Sequence, residues 1–163
     1  MGRKVIFLDR DGVLNIERGE YTFKEEDVKF VPDLIESLML FSQKGYEFII
    51  ISNQGGISKK IYSKSDVFKV ENILRNHLVE RGIEVLDSFY CSHHNDIENC
   101  LCRKPKSLML EKAVAKHNVD KELSYFIGDS DRDKRAGERI GIKSYQVEAN
   151  SSILDLSKKL IDE

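Results

Sequence analysis

Two aspartates, Asp9 and Asp11, directly follow a short apolar run, and Gly12 comes next and lets the chain turn away. Residues two apart at a strand end can face the same side, so both carboxylates can reach one crevice. One carboxylate can attack phosphorus, and a second can protonate a leaving alcohol and later accept a proton from water. The pair predicts phosphate-ester hydrolysis, with Asp9 as nucleophile and Asp11 as general acid and base. The structural alternative is a turn capped by two acids.

A second polar segment follows another apolar run and consists of Ser52, Asn53 and Gln54, with the glycines Gly55 and Gly56 after them. The Ser52 hydroxyl and the backbone N–H groups of such a loop can bind phosphate oxygens. We therefore predict a phosphate-binding role for Ser52, Asn53 and Gln54. An ordinary turn is the alternative for this sequence.

Two further motifs supply a fixed positive charge and more carboxylates. Lys104 can neutralise a transferring phosphoryl group, and Arg103 can reach another substrate oxygen, although a basic run is also typical of a solvated surface. Asp129 and Asp133 follow a third apolar run and suit a hard cation such as Mg²⁺, or alternatively the capping of a helix. The predicted Mg²⁺ ligands are Asp9, Asp11 and Asp129.

All three cysteines of the chain, Cys91, Cys100 and Cys102, fall in one short window together with His93. Three thiolates and one imidazole form a closed tetrahedral zinc set, which leaves no position for an activated water and therefore predicts a structural ion. An odd number of cysteines does not suit a disulfide framework. His94 is then expected to be spare and to face solvent. Chance proximity of free thiols is the alternative.

Apolar and amphipathic segments alternate along the chain and must position these motifs. This alternation predicts an α/β fold, a doubly wound parallel sheet with helices on both faces and a crevice beyond the carboxyl ends of the strands. The 163 residues are expected to form a single domain, 1–163, with a zinc loop at 91–102. We predict strands at Lys4–Leu8, Glu47–Ser52, Leu86–Tyr90, Tyr125–Ile127 and Lys143–Gln146, and helices at Asp33–Lys44, Ser65–Glu80 (capped by Ser65), Ser107–His117, Asp133–Ile140 and Ile153–Ile161.

The four motifs, taken in order, resemble the haloacid dehalogenase superfamily of phosphatases that use an aspartate nucleophile. Its first motif is matched by Asp9 and Asp11, its second by Ser52 and its third by Lys104. Its fourth motif is matched by the aspartates at 129 and 133. The resemblance spans nearly the whole chain and implies a Rossmann-like fold, Mg²⁺ dependence and an aspartyl-phosphate intermediate.

Within that superfamily, the segments 9–15, 52–57 and 91–105 are similar to the D-glycero-D-manno-heptose 1,7-bisphosphate phosphatases. The histidinol-phosphate phosphatases share the zinc loop and remain an alternative. The resemblance implies an enzyme without a large cap domain whose sugar phosphate is reached by surface loops. It also implies that Asn53, Arg103 and the loop 17–21 contact the sugar and its distal phosphate.

The composition of the chain limits the classes of partner that it is expected to bind. Lys and Arg number 26 against 28 Asp and Glu, a net charge of -2, which does not favour nucleic-acid binding. The chain has no apolar run approaching the ~20 residues of a membrane span and no recognisable signal peptide, so a cytoplasmic monomer is expected. A signalling receiver domain and a non-catalytic zinc-stabilised interaction module are the competing readings. The receiver interpretation is disfavoured because the phosphorylated aspartate of a receiver domain follows a middle strand, whereas Asp9 and Asp11 follow the first strand of this chain.

Overall fold

The computed structural model describes residues 1–163 as five strands and five helices. They are β1 Val5–Leu8, α1 Leu34–Gln43, β2 Glu47–Asn53, α2 Lys64–Val79, β3 Val85–Cys91, α3 Leu108–His117, β4 Tyr125–Gly128, α4 Asp131–Glu138, β5 Lys143–Gln146 and α5 Leu154–Ile161, with a short 3-10 turn at Glu25–Asp27 before α1.

The strands form one parallel sheet in the order β3-β2-β1-β4-β5. The predicted doubly wound α/β fold is confirmed. The direction of strand progression reverses between β1 and β4, and ligands of such sheets bind at this switch point. A receiver domain has the order 2-1-3-4-5 instead, so the topology rules out that alternative.

Alternation along β1 explains why the sheet is covered on both faces. Ile6 and Leu8 lie in a buried cluster with residues of α1, α2 and α5, whereas Val5 and Phe7 lie in a second cluster with residues of α3 and α4. All four side chains are at most 1% exposed, as expected for a central parallel strand. The carboxylate of Asp9 is thus carried by a strand that is fixed from both sides.

The predicted helix starts are within one residue of the observed ones except for α4, and the cap of α2 also differs from the prediction. Ser63, not Ser65, caps α2: its hydroxyl accepts a hydrogen bond from the Asp66 N–H at 3.2 Å, and the Asp66 carboxylate accepts one from the Ser63 N–H at 2.9 Å. This reciprocal capping box sets where the helix begins. The helix α4 begins at Asp131 instead of Asp133, because a second capping box, formed by Ser130 and Asp133, lies at its start. It ends at Glu138.

Loops, and no further helical layer, lie above the carboxyl edge of the sheet. The segment 9–33 joins β1 to α1, and the segment 92–107 joins β3 to α3. The carboxyl ends of the strands are therefore reached between loops, in agreement with the capless fold that the resemblance implied. None of the helices is both long and apolar enough to cross a membrane.

Candidate active site

A cavity of about 560 Å³ opens at the carboxyl ends of β1, β2 and β4. Only one of its 18 lining residues is hydrophobic, so the cavity suits a highly polar ligand. The predicted site residues on its wall are Asp9, Asp11, Asn53, Gln54, Arg103, Lys104, Asp129 and Asp133. Of the predicted set facing the crevice, Ser52 alone is not on the wall.

Asp9 and Lys104 form the ion pair at the base of the cavity, with Nζ 2.9 Å from Oδ1. Lys104 is 3% exposed, and its ammonium also donates to the Ile51 carbonyl at 2.7 Å and pairs with Asp133 at 2.6 Å. Burial alone would lower the pKa of Lys104, but the two carboxylates outweigh it and hold the pKa above its usual value. The lysine is therefore a fixed positive charge beside the Asp9 carboxylate.

Three carboxylates cluster beside this ammonium group, and two of them, Asp9 and Asp133, contact it. Asp9, Asp129 and Asp133 each offer an oxygen, and these oxygens lie within 4.8 Å of one another. Burial raises the pKa of Asp9 well above its usual value, and the charges of the other two acids raise it further, against the effect of Lys104. Burial likewise raises the pKa of Asp129. One cation among three acids leaves an excess of negative charge, and clustered carboxylate oxygens are the ligands that Mg²⁺ takes. The donor set therefore fits a divalent cation.

Gly12 allows this cluster to form. Its φ of +89° is a conformation that L side chains rarely adopt, and a Cβ there would overlap the Asp129 carboxylate. The first and fourth motifs can approach each other only because this position carries no side chain.

The carboxylate of Asp133 contacts both the lysine of the cluster and the start of helix α4. One carboxylate oxygen pairs with Lys104, while the other accepts hydrogen bonds from the N–H and hydroxyl of Ser130 at 3.1 and 2.9 Å. The helix-cap interpretation of the fourth motif therefore describes one oxygen of Asp133, while the other oxygen belongs to the carboxylate cluster.

The carboxylate of Asp11 lies outside the cluster, unlike the predicted metal set, in which Asp11 stood and Asp133 did not. Arg10 donates to both of its oxygens, with Nη2 3.0 Å from Oδ1 and Nε 3.2 Å from Oδ2. Asn15 Nδ2 donates to Oδ1 at 2.9 Å, and Gln54 Nε2 donates to Oδ2 at 3.1 Å. These donors turn the Asp11 side chain toward Arg10, yet it still lines the cavity.

Arg10 lies within the first motif, but no role was predicted for it because its contacts are with residues outside that motif as well as with Asp11. It is 3% exposed, and its Nη2 also donates to the Thr22 carbonyl at 2.9 Å. The loop 17–22 supplies the cavity wall with Glu17, Gly19, Glu20, Tyr21 and Thr22, in the region where the resemblance placed sugar contacts. Arg10 therefore connects this loop to Asp11.

The side chains of the second motif mainly make hydrogen bonds to other groups of the protein. Ser52 is 3% exposed, and its hydroxyl accepts a hydrogen bond from Gln54 Nε2 at 2.6 Å. The Asn53 amide pairs with the backbone of Lys104: the Lys104 N–H donates to Oδ1 at 3.0 Å, and Nδ2 donates to the Lys104 carbonyl at 3.2 Å. Asn53 thus supports the lysine as well as lining the cavity.

Tyr62 is a second residue that the sequence did not single out. Its hydroxyl donates to Gln54 Oε1 at 2.7 Å, and the side chain is 7% exposed. Burial raises the pKa of Tyr62 to about 12, so the hydroxyl keeps its proton at neutral pH. No spacing rule marks this tyrosine, because its contacts arise only when the segment after Gly56 folds back.

The cysteine and histidine window forms one compact group. Cys91 Sγ lies 3.7 Å from Cys100 Sγ and 3.1 Å from Cys102 Sγ, and His93 Nδ1 lies 3.5 Å from Cys91 Sγ and 3.3 Å from Cys102 Sγ. A tetrahedral zinc ion with bonds of about 2.0–2.3 Å separates its ligands by roughly 3.3–3.8 Å. All three thiols are free. Three of the four distances fall in this range and the distance between Cys91 and Cys102 is shorter, so the four residues supply the donor set of a closed tetrahedral metal site after a small widening of that pair.

This group is tied to the phosphate-binding segment. The Arg103 N–H donates to Cys100 Sγ at 3.3 Å, and Arg103 Nη1 donates to the His93 carbonyl at 3.0 Å. Arg103 is 9% exposed, and its Nε has no hydrogen-bond partner although the side chain lines the cavity. His94 also lines the cavity, with 19% of its side chain exposed, so the expectation that it faces solvent is wrong.

Comparison with known proteins sets this geometry in a family. The profile of the family described as polynucleotide kinase 3 phosphatase matches residues 4–153. The chain belongs to this family of HAD-like phosphatases. The predicted superfamily and the predicted phosphatase class are thereby confirmed, and the reading as a non-enzyme loses its support.

Individual relatives of this phosphatase point the same way. It is 41% identical over 145 residues to a D-glycero-alpha-D-manno-heptose-1,7-bisphosphate 7-phosphatase from Photorhabdus laumondii, covering 85% of this chain and 79% of the relative. It is 34% identical over 147 residues to the corresponding beta-heptose enzyme from Pasteurella multocida, covering 87% and 79%. The crystal structure of a D,D-heptose 1,7-bisphosphate phosphatase from B. bronchiseptica, complexed with magnesium and phosphate, superposes with a TM-score of 0.90 over 98% of both chains at 21% identity, and shows the same fold.

Proposed function

We propose that residues 1–163 act as one catalytic domain that removes the 7-phosphate of D-glycero-D-manno-heptose 1,7-bisphosphate through an aspartyl-phosphate at Asp9. Two relatives, 41% and 34% identical to this chain, carry this activity in their names. The observation that carries the proposal is the position of Asp9, a buried carboxylate at the switch point of the sheet, held by Lys104 and opening on a polar cavity.

In the first step, an Asp9 oxygen forms a bond to phosphorus while the bond from phosphorus to the sugar oxygen breaks. Asp11 gives its proton to the departing alcohol, and the ammonium of Lys104 offsets the charge on the phosphoryl oxygens. In the second step, Asp11 takes a proton from water, which attacks phosphorus and breaks the bond to Asp9. Inorganic phosphate leaves, and both carboxyl groups return to their starting state.

Asp9, Asp129 and Asp133 fit Mg²⁺, and we assign the metal to these three side chains. When bound there, the ion adds positive charge against the phosphoryl oxygens and helps to align them for in-line attack. The predicted metal role of Asp11 is not retained for its carboxylate, because Arg10, Asn15 and Gln54 occupy that group.

Zinc is the ion we assign to Cys91, His93, Cys100 and Cys102, in a structural role. The four ligands fill a tetrahedron, so no position is left for a reacting water. The ion would fix the loop from which Arg103 and Lys104 emerge. Three thiols kept together as a metal set also support a reducing compartment such as the cytoplasm.

The distal phosphate has a matching group on the cavity wall. The Arg103 side chain lines the cavity, with Nη1 bound to the His93 carbonyl, and we assign its guanidinium group to an oxygen of the phosphate that is not cleaved. On the opposite side, Glu17 and Glu20 of the loop 17–22 offer acceptors for sugar hydroxyls. A bisphosphorylated sugar would use both walls, whereas an ester without a second phosphate offers no such oxygen to Arg103.

The proposal is tested by labelling and by specificity. Acid quenching of enzyme mixed with ³²P-labelled heptose bisphosphate should trap label on Asp9, and Asp9→Asn should remove both label and turnover. Steady-state rates with both anomers of the bisphosphate and with histidinol phosphate then decide the substrate. Label on another side chain would overturn the mechanism, and a higher kcat/KM for histidinol phosphate would overturn the substrate assignment alone.

A further inference from the structure

We propose that Tyr62 is a positioning residue for the proton-transfer step: by donating to Gln54, it fixes the orientation of an amide that in turn holds Asp11. This inference rests on the proposed function, because it concerns the residue to which that function assigns the proton transfers.

While Asp11 is ionised, the state in which it takes a proton from water, the amide of Gln54 has only one orientation that satisfies its neighbours. Its Nε2 donates to Asp11 Oδ2 at 3.1 Å and to Ser52 Oγ at 2.6 Å, and its Oε1 accepts from the Tyr62 hydroxyl at 2.7 Å. Rotating the amide by 180° would place Oε1 against a carboxylate, which cannot donate while ionised. With the amide in its present orientation, its buried oxygen needs a donor, and Tyr62 supplies one.

Packing gives Tyr62 little freedom to move. Its ring stacks on Phe23 at a centroid distance of 5.2 Å and meets Tyr21 edge-on at 5.5 Å. On another side it lies against Gly56, where a Cβ would overlap the ring. The hydroxyl is therefore held in place by apolar contacts, as a positioning group requires.

The same ring connects the loop 17–23 to the proton-transfer carboxylate. Tyr21 and Thr22 line the cavity, and Thr22 also holds Arg10, the other main partner of Asp11. Two separate routes thus run from this loop to the two sides of one carboxylate, one through Arg10 and one through Tyr62 and Gln54.

The test uses the chemistry of the leaving group. A sugar alcohol needs a proton as it departs, whereas p-nitrophenolate leaves without one, so misplacement of Asp11 should slow the sugar phosphate selectively. We expect Tyr62→Phe to lower kcat/KM for the heptose bisphosphate about tenfold and for p-nitrophenyl phosphate less than about threefold, with KM changed less than about twofold. Tyr46→Phe, which removes the hydroxyl of a partly buried tyrosine at the opposite end of the sheet, should leave both rates unchanged.

A double-mutant cycle identifies the route. Gln54→Leu should show the same selective loss, and adding Tyr62→Phe to it should lower the rate no further, because Tyr62 acts through the amide. Equal losses on both esters, or additive losses in the double variant, would overturn the inference. If Tyr62→Phe fails to fold, Gln54→Leu alone gives the leaving-group comparison. The two proposals can fail separately. If Asp9→Asn loses all activity while Tyr62→Phe slows the heptose bisphosphate and p-nitrophenyl phosphate equally, this inference is wrong and the proposed function still holds.

Discussion

The side-chain amide of Asn53 pairs with both backbone polar groups of Lys104, at 3.0 Å from the N–H and 3.2 Å from the carbonyl oxygen. One residue at the end of β2 thereby fixes the backbone from which the ammonium reaches Asp9. The second and third motifs, which lie far apart in the chain, are joined by this pair of hydrogen bonds. The position of Lys104 therefore depends on a neighbour that carries no charge.

Asn53→Ala should lower kcat more than it raises KM, because it frees the Lys104 backbone while leaving the ammonium present. We expect a loss of about 10–100-fold in kcat and about 1–2 kcal/mol in the free energy of unfolding. Steady-state kinetics and urea unfolding measure the two effects. Asn53→Asp keeps the acceptor for the Lys104 N–H and loses the donor. Its kcat and its free energy of unfolding should lie between those of the parent protein and of Asn53→Ala. An Asn53→Ala enzyme with unchanged kcat would contradict the positioning role.

Asp133→Ala should affect stability and activity together. It removes the partner of Lys104 and the acceptor for Ser130 at the start of α4, and we expect a loss of about 3 kcal/mol in the free energy of unfolding with at least 100-fold in kcat. Asp131→Ala is the matched control, since Asp131 lies in the same helical turn with 71% of its side chain exposed. Comparable losses in both variants would point to a general effect of charge at the helix start.

Cys100→Ser should reduce zinc content and phosphatase activity in parallel, because Cys100 also accepts the Arg103 N–H. Zinc per chain is measured by atomic spectrometry and activity on the same preparation. Cys100→Ser is compared with Ser92→Ala, a change in the same loop outside the four ligands. A variant that lacks zinc and keeps full activity would show that the loop does not support Lys104.

Arg103→Met should separate the two phosphates of the substrate. We expect KM for the heptose bisphosphate to rise about tenfold or more, and KM for a heptose 7-phosphate without the distal group to change little, because only the bisphosphate offers a second phosphate to the Arg103 guanidinium on the cavity wall. The comparison needs only steady-state kinetics on the two esters. Equal changes on both would place Arg103 at the reacting phosphate instead.

Asp87 provides a pH-dependent contribution to stability away from the cavity. Burial alone would raise its pKa, but hydrogen bonds from Lys116, His117 and the Ser88 N–H outweigh it and hold the pKa below its usual value. A lowered folded-state pKa stabilises the protein above the unfolded value of about 3.9, and that contribution is lost as the pH falls through the folded value.

Asp87→Asn should therefore lower the free energy of unfolding by about 1 kcal/mol at pH 7, and the difference should shrink below about pH 4. Urea unfolding across this range measures it. Asp155→Asn, an exposed acid on α5, is the control and should follow the parent protein at each pH. A difference that grows with falling pH would have the wrong sign for this account.

Patterns local in the chain predicted most of the fold and which polar residues would come together. Apolar runs followed by acids located β1 and β4, and the spacing of all three cysteines and His93 predicted the compact cluster that they form. What the sequence could not predict depends on contacts between distant segments. Arg10, Tyr62 and the pairing of Asn53 with Lys104 become visible only when loops fold over the sheet, and Asp133 replaces Asp11 in the cation cluster because of such a contact. The misplaced cap of α2 had a local cause, since Ser63 and Ser65 both resemble caps.

The double use of Asp133, as the acceptor that starts α4 and as the partner of Lys104, limits how the protein can be redesigned. Residues in the first turn of a helix are commonly substituted to raise thermal stability. In α4 that turn contains Asp133, whose carboxylate pairs with Lys104. Changes aimed at durability would have to move to neighbouring solvent-facing sites such as Asp131, and the gain available at this end of α4 is correspondingly small.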